Sequence, residues 1–222
     1  MEREVLMEDL KKLYSSSDIK ADCGGCKGCH DCCCGMGDSI VLDPYDIYQM
    51  NKHLGVKFEE LLNHKISLHA EEGLILPNLK MQGKEDGCAF LNEKGRCTIH
   101  AFRPGFCRLF PLGRIYEDGS FSYYLQSQEC TKANRTKVKV NKWLGIPDLK
   151  QYENFVNEWH YFLKDTKALL LRLSDAQLNQ ELSMYLLNRF YTTAFDLESD
   201  FYKQFDERMT QMKKLIYTLD RQ

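Results

Sequence analysis

Residues 22–37 read DCGGCKGCHDCCCGMG, and six of the chain's ten cysteines fall within them. Cys23, Cys26, Cys29 and Cys32 recur at every third position, and Gly24, Gly25 and Gly28 between them free the backbone to curl around something small. Thiolates are soft ligands that favour zinc, copper(I) or iron–sulfur clusters, and a two-residue gap lets two sulfurs reach one centre. A single CxxC is weak evidence for a metal, whereas three overlapping ones are strong. Cys32, Cys33 and Cys34 are consecutive. In an extended segment neighbouring side chains point to opposite faces, so Cys32 and Cys33 are expected to ligate different centres, or one ligates while its neighbour packs. Cys34 reads equally as a ligand and as a small buried hydrophobe.

A second group is dispersed: Cys88 in DGCAFL, Cys97 in GRCTIH, Cys107 in RPGFCRLFP and Cys130 in QECTK. Only a folded chain can gather residues so far apart. Four thiols from each group would supply two four-thiolate sites. Each such site carries a net charge of about −2 and needs compensating donors when buried. Arg96, Arg103, Arg108 and Arg114 lie close to these cysteines in sequence. His30, between Cys29 and Cys32, is read as a neighbour of the ligands rather than a ligand. His53, His64, His69 and His160 are given no role.

The run CKGCHDCC followed by GCAFLNEKGRCTIHAFRPGFCRLFP resembles the CxxCxxCC cysteine-cluster family, also called YkgJ-like and described as a zinc- or iron-chelating domain. The resemblance covers about residues 20 to 135. Carried over position by position, it implies metal ligation by Cys26, Cys29, Cys32, Cys33, Cys88, Cys97 and Cys107, with Cys130 as a final, less regular member. Arg103, Pro104, Arg108 and Pro111 complete the motif, while Cys23 and Cys34 flank it as extra candidate ligands. His100 stands where the family pattern suggests a tyrosine. The resemblance also implies one or two 4Fe-4S clusters serving redox chemistry or group transfer; the competing reading is a zinc-structured protein-binding module without catalysis, whose helical part or basic stretch engages a partner. The family is distantly similar to flagellin lysine N-methylases, which brings S-adenosylmethionine and a protein substrate into consideration. In that setting Arg103 and Arg108 are candidate cofactor-binding residues for an anionic substrate or the methyl donor's carboxylate; hydrogen bonds to cluster sulfur and local carbonyls are the plainer reading. The CxxxCxxC spacing of radical enzymes is absent.

The elements that must position these residues are expected to form an α+β protein with few short strands. Its organisation reads as an N-terminal helix over 1–19, a cysteine-cluster metal-binding domain over 20–135, and a helical C-terminal region over 136–222 packing on it. Leu6, Leu10, Leu13 and Tyr14 fall at helical spacing, and DPYDIYQMNKHLG reads as a helix capped by Asp43 and stopped at Gly55. FEELLNHK reads as a second short helix. Short extended pieces follow from Ile66, and RIY and FSYYL form a hairpin through Asp118–Gly119. Asp43, Asp46, Glu85 and Asp86 are read as caps and turn residues. Three helices are expected beyond Pro147, the second announced by Ser174 with Gln177. The third carries Phe201, Phe205, Met209, Met212, Ile216 and Leu219 on one stripe, read as core.

With 30 basic and 32 acidic side chains, the chain has no global field that would draw it to nucleic acid or to a membrane surface. KANRTKVKVNK over 132–142 carries five positive charges and no negative one, but has no interleaved aromatics for base stacking and is read as a solvated edge. Nucleic acid and membrane are therefore not expected as partners, whereas a protein substrate or redox partner is. The charged start MEREVLMEDLKKLY does not suit a secretory signal, so a cytoplasmic protein is expected. In a reducing compartment repeated CxxC spacing favours metal over disulfides.

Overall fold

A computed structural model describes residues 7–14, 18–22, 29–130 and 135–221. Cys23, Cys26 and Lys132 lie outside the described residues. The first elements are strands β1 (Leu13–Tyr14) and β2 (Asp18–Asp22), then helices α1 (Pro44–Leu54) and α2 (Phe58–His64). Strands β3 (Ile66–Glu71), β4 (Leu74–Leu79), β5 (Met81–Gln82) and β6 (Gly87–Cys88) precede the short helix α3 (Gly105–Leu109). Strands β7 (Leu112–Glu117), β8 (Ser120–Leu125) and β9 (Thr136–Lys139) follow. Helices α4 (Val140–Leu144), α5 (Leu149–Leu173), α6 (Ala176–Leu187) and α7 (Phe201–Leu219) complete an α+β fold.

The chain divides into two compact units, Met1–Ile40 with Leu79–Asn157, and Val41–Asn78 with Glu158–Gln222. The division differs from the sequence expectation in both directions. α1, α2, β3 and most of β4 leave the cysteine domain for the helical unit, and β9, α4 and the first two turns of α5 stay with the cysteines. The reason is visible in the second unit, where Ser183 Oγ of α6 accepts the Ile75 amide at 2.8 Å and Tyr191 donates its hydroxyl to the Leu42 carbonyl at 2.9 Å.

In the first unit the hairpin β7–β8 turns through Asp118–Gly119 as expected, and β1 adds to its other edge in the order β1-β8-β7. Met7–Tyr14 thus does not form the expected helix. Asp9–Lys11 makes one 3₁₀ turn, and Leu13 and Tyr14 pair with Tyr124 and Tyr123. Strand partners override the local helical spacing, which is a weak prior over so short a window. Gly113 lies opposite Tyr124, whose ring passes so close that a Cβ on Gly113 would stand 2.2 Å from it. β2 pairs with β9, setting Ile19 against Val138. The core beneath joins Tyr14, Ile19, Ala21, Leu109, Leu112, Tyr123, Val140 and Leu144. Leu109 carries that core to within two residues of Cys107.

In the second unit α1 begins as expected. Asp43 Oδ1 accepts the Asp46 amide at 2.8 Å, Asp46 returns the bond at 3.1 Å, and Gly55 ends the helix. α5 buries Trp159, Phe162, Thr166, Leu169 and Leu170 at helical spacing. The cap of α6 is one residue later than expected: Asp175, not Ser174, accepts the amides of Gln177 and Leu178. On α7, Phe201, Phe205, Met209 and Met212 are buried, while Ile216 and Leu219 are half-buried. A π turn over Asn188–Thr192, not anticipated from sequence, follows α6. Its widened backbone leaves carbonyls over, and Arg208 gathers them by donating to the carbonyls of Arg189, Thr193 and Ala194 at 2.8, 2.6 and 2.8 Å. No helix among the described residues is long and apolar enough to cross a membrane.

Candidate metal centre

Three chain segments of the first unit bring the thiols together. The first is Cys29–Cys34. The Cys33 amide donates to the His30 carbonyl at 2.8 Å, closing a 3₁₀ turn over Asp31–Cys33. This corrects the expectation of an extended run with Cys32 and Cys33 on opposite faces. In a 3₁₀ turn neighbouring side chains are about 120° apart, and the two thiols engage one another directly. The chain becomes extended only at Cys34, which bridges to Gly87, while the Gly35 amide donates to the Asp86 carbonyl at 2.8 Å.

The second segment runs from β5 to Ile99. Met81 pairs with Cys88, which is buried, and the chain then turns back so that Leu91 bridges to Cys97. Asn92 builds that turn, its Oδ1 accepting the amides of Lys94 and Arg96 at 3.0 and 2.9 Å. Gly95 takes φ +65°, and the His30 ring rests on it: a Cβ there would lie 2.8 Å from Nδ1. The His30 ring of the first segment thereby lies against the turn of the second.

The third segment is α3, with Cys107 at its centre. Arg108 spends its donors on main-chain carbonyls: Nε on Arg103 at 3.0 Å, Nη2 on Ala101 at 2.5 Å, and Nη1 on Leu144 and Gly145 at 3.4 and 3.3 Å. Arg103 donates to the His100 carbonyl at 2.8 Å. This is the carbonyl-bridging role, and it ties the Cys107 loop to the end of α4. Arg114, close in sequence, lies over the rings of Phe121, Tyr123 and Tyr152 at 5.4, 5.9 and 5.7 Å.

Electrostatics show which thiols lie close enough to act on one another. Cys33 is pushed well above the ordinary thiol range, first by its hydrogen bond with Cys32, then by burial and by the charges of Cys32, Cys107 and Cys88. Cys97 is raised by burial, opposed by a hydrogen bond from the Ile99 amide and by Arg103, with Cys32 raising it and Arg96 lowering it. Cys32, Cys33, Cys88, Cys97 and Cys107 therefore share one neighbourhood. Burial, with Arg103, Arg96 and Arg108 adding to it, lowers His100, and Arg103 and Arg96 also act on Cys97.

Cys34 looks elsewhere. Burial raises it, followed by the charges of Glu85, Asp31, Cys32 and Asp86, and its Sγ lies 3.8 Å from the place a Gly87 side chain would take. The carboxylate surroundings of Cys34 were not foreseen, because Glu85 and Asp86 read from sequence only as turn residues and Asp31 was given no role. Cys29 and Cys130 are half-buried and are not among the thiols whose charge bears on Cys33. None of the described cysteines is joined in a disulfide. Among the described residues no three His, Cys, Asp or Glu side chains are drawn tightly enough to hold an ion. The convergence is thus a neighbourhood of soft donors rather than a finished coordination shell, and Cys23 and Cys26 stand outside the described set.

Thiols this close oppose each other's ionisation, and a bound cation removes that opposition. The donor set fits zinc or an iron–sulfur cluster, since both take four thiolates. A family model described as "CxxCxxCC: Putative zinc- or iron-chelating domain" matches residues 25–141. No curated protein and no solved structure matches the chain.

Proposed function

The chain belongs to the CxxCxxCC family, and on that premise we propose that it is an iron–sulfur protein acting in redox chemistry or in cluster-dependent group transfer. The observation that carries this reading is the convergence of Cys32, Cys33, Cys88, Cys97 and Cys107 from three segments onto one neighbourhood flanked by Arg96 and Arg103. A cluster, when bound, supplies one-electron transfer or an iron open to a substrate. The chain's own residues do the rest. Cys32 and Cys33 supply adjacent thiolates from the 3₁₀ turn, and Cys88, Cys97 and Cys107 approach from the other two segments. The Ile99 amide and the Arg96 and Arg103 charges favour the ionised form of Cys97, the direction that strengthens a sulfur ligand and offsets the net negative charge of a four-thiolate site. Arg108 keeps the Cys107 loop in place through its four carbonyl bonds. Cys34, set among carboxylates, is a neighbour and not a ligand in this reading.

Purification without oxygen, with the absorption spectrum recorded and iron, sulfide and zinc assayed per chain, tests the proposal. Brown protein with iron and sulfide in equal amounts is expected. A colourless protein holding stoichiometric zinc and no sulfide overturns it. Group transfer of the methylating kind further requires that the loaded protein bind S-adenosylmethionine; calorimetry showing no binding leaves redox chemistry alone.

A further inference from the structure

The basic stretch that the sequence reads as a solvated edge takes a definite form. β2 and β9 make a two-stranded antiparallel ribbon with Ile19 opposite Val138 and Lys20 opposite Lys137. Directly opposed residues share a face and successive residues alternate. Ile19 and Ala21 are buried and Val138 packs against the core, so Lys20, Lys137 and Lys139 stand together on the outward face, all three exposed. The ribbon's acidic positions are Asp18, opposite Lys139, and Asp22, opposite Thr136 beyond a register shift, against the three lysines and the neighbouring Lys142. Lys142 is exposed just beyond, in α4.

We propose that the outward face of this ribbon is a docking surface for an acidic protein segment. Edge protection alone does not account for it. Lysines blunt a strand edge, but alternating signs would blunt it as well, and two lysines set directly opposite each other are destabilising until an anion lies between them. The concentration is also local: the whole chain is slightly acidic, with a net charge of −2. Charge complementarity therefore selects a partner surface of carboxylates. Nucleic acid is the weaker fit, because the outward positions hold no aromatic ring for base stacking. The nearby Arg135, moreover, is occupied with the Ser127 carbonyl at 3.1 Å.

The ribbon's place in the chain gives the docking a purpose. At the Asp22–Thr136 end, β2 runs directly into Cys23 and β9 comes from the segment that carries Cys130. A partner held here is delivered to the end of the ribbon from which both strands connect to cysteine segments. Small, charge-driven encounters of this kind are weak, salt-sensitive and fast.

The test uses the full chain as purified and a fluorescein-labelled poly-L-glutamate probe, followed by anisotropy at rising sodium chloride. Wild type is expected to bind at low salt and to weaken steeply with salt, and K20E/K137E/K139E to bind about tenfold more weakly. The neutral variant K20Q/K137Q/K139Q, expected to fall between the two, guards against misfolding of the charge reversal. Equal binding by wild type and the neutral variant overturns the proposal. So does absence of salt-dependent binding by wild type, or a preference for a labelled DNA duplex of matched charge. Metal per chain, assayed on the same samples, reads the metal centre separately. Lysine-dependent binding by a protein without iron would sustain the docking surface and sink the iron–sulfur reading.

Discussion

The two units are stabilised by different materials. The second is built on aromatic packing: Trp159 meets Phe190 at 4.9 Å between ring centroids and Phe205 at 6.1 Å, Phe162 and Tyr191 close around them, and all are buried. Fully burying side chains of this size is worth about 1.5–3 kcal/mol each. The cysteine segments of the first unit offer much less. Between Cys29 and Gly37 only Met36 is buried, and within Asn92–Ile99 only Ile99 is, that turn being held by its own backbone, Asn92 and Thr98. Segments of this kind lack the apolar area to outweigh their ordering entropy and rely on a cross-link, which a metal supplies.

The largest effect expected from this contrast follows metal removal. Chelation under reducing conditions is expected to abolish hydrogen-exchange protection across 29–37 and 81–109 and to leave α5 beyond Glu158, α6 and α7 protected, since structural metals in small domains contribute on the order of 10 kcal/mol. Protection unchanged in the cysteine segments would mean that the first unit's hydrophobic core alone holds them. Each unit contains one tryptophan, Trp143 in the first and Trp159 in the second. The variants Trp143→Phe and Trp159→Phe therefore give separate fluorescence reporters for the same experiment.

The converse experiment strikes the aromatic core. Phe190→Ala removes a ring with no exposure from between Trp159, Phe162 and Phe205. A loss of about 3–5 kcal/mol is expected, read by urea titration on the Trp159 signal, with metal per chain retained. Loss of metal in this variant would show that the two units do not keep separate accounts of stability.

Arg208→Met is expected to cost somewhat less, about 2–4 kcal/mol. It keeps much of the apolar stem against Phe195, over which the guanidinium lies at 3.7 Å, and withdraws the donors from three carbonyls. Urea titration of the Trp143→Phe background reports it. A change below about 0.5 kcal/mol would mean that water satisfies the π turn as well as the arginine does.

How legible each unit was follows from the same contrast. α1, α2, the β7–β8 hairpin and the helices beyond Pro147 could be read because caps, a tight-turn pair and helical spacing are local signals. The edge strand β1 could not, since its strand character comes from Tyr123 and Tyr124, more than a hundred residues away. The metal centre was legible in composition and not in arrangement. Cysteine spacing and the family motif named the thiols, but the 3₁₀ turn that puts Cys32 beside Cys33 closes on the His30 carbonyl while the His30 ring rests on Gly95, and neither contact has a sequence signature. The one local hint was glycine itself in NEKGRC, where a turn with φ +65° admits few other residues.

That seat yields the smallest and most specific effect. Gly95→Ala places a methyl group where the His30 ring lies and asks an L-residue to keep φ +65°, a combined cost of about 1–2 kcal/mol. His30→Ala in the same background removes the clash and leaves the backbone cost. If the seat positions the Cys32–Cys33 turn, Gly95→Ala lowers metal retention in a chelator competition by several-fold, and adding His30→Ala does not restore it, because the locking contact is gone in both. Recovery in the double variant would instead assign the loss to the clash alone and make His30 a bystander. Hydrogen exchange of the Cys33 amide, which donates to the His30 carbonyl, separates these outcomes: a positioning seat predicts faster exchange in both variants, while α7 amides remain as in wild type.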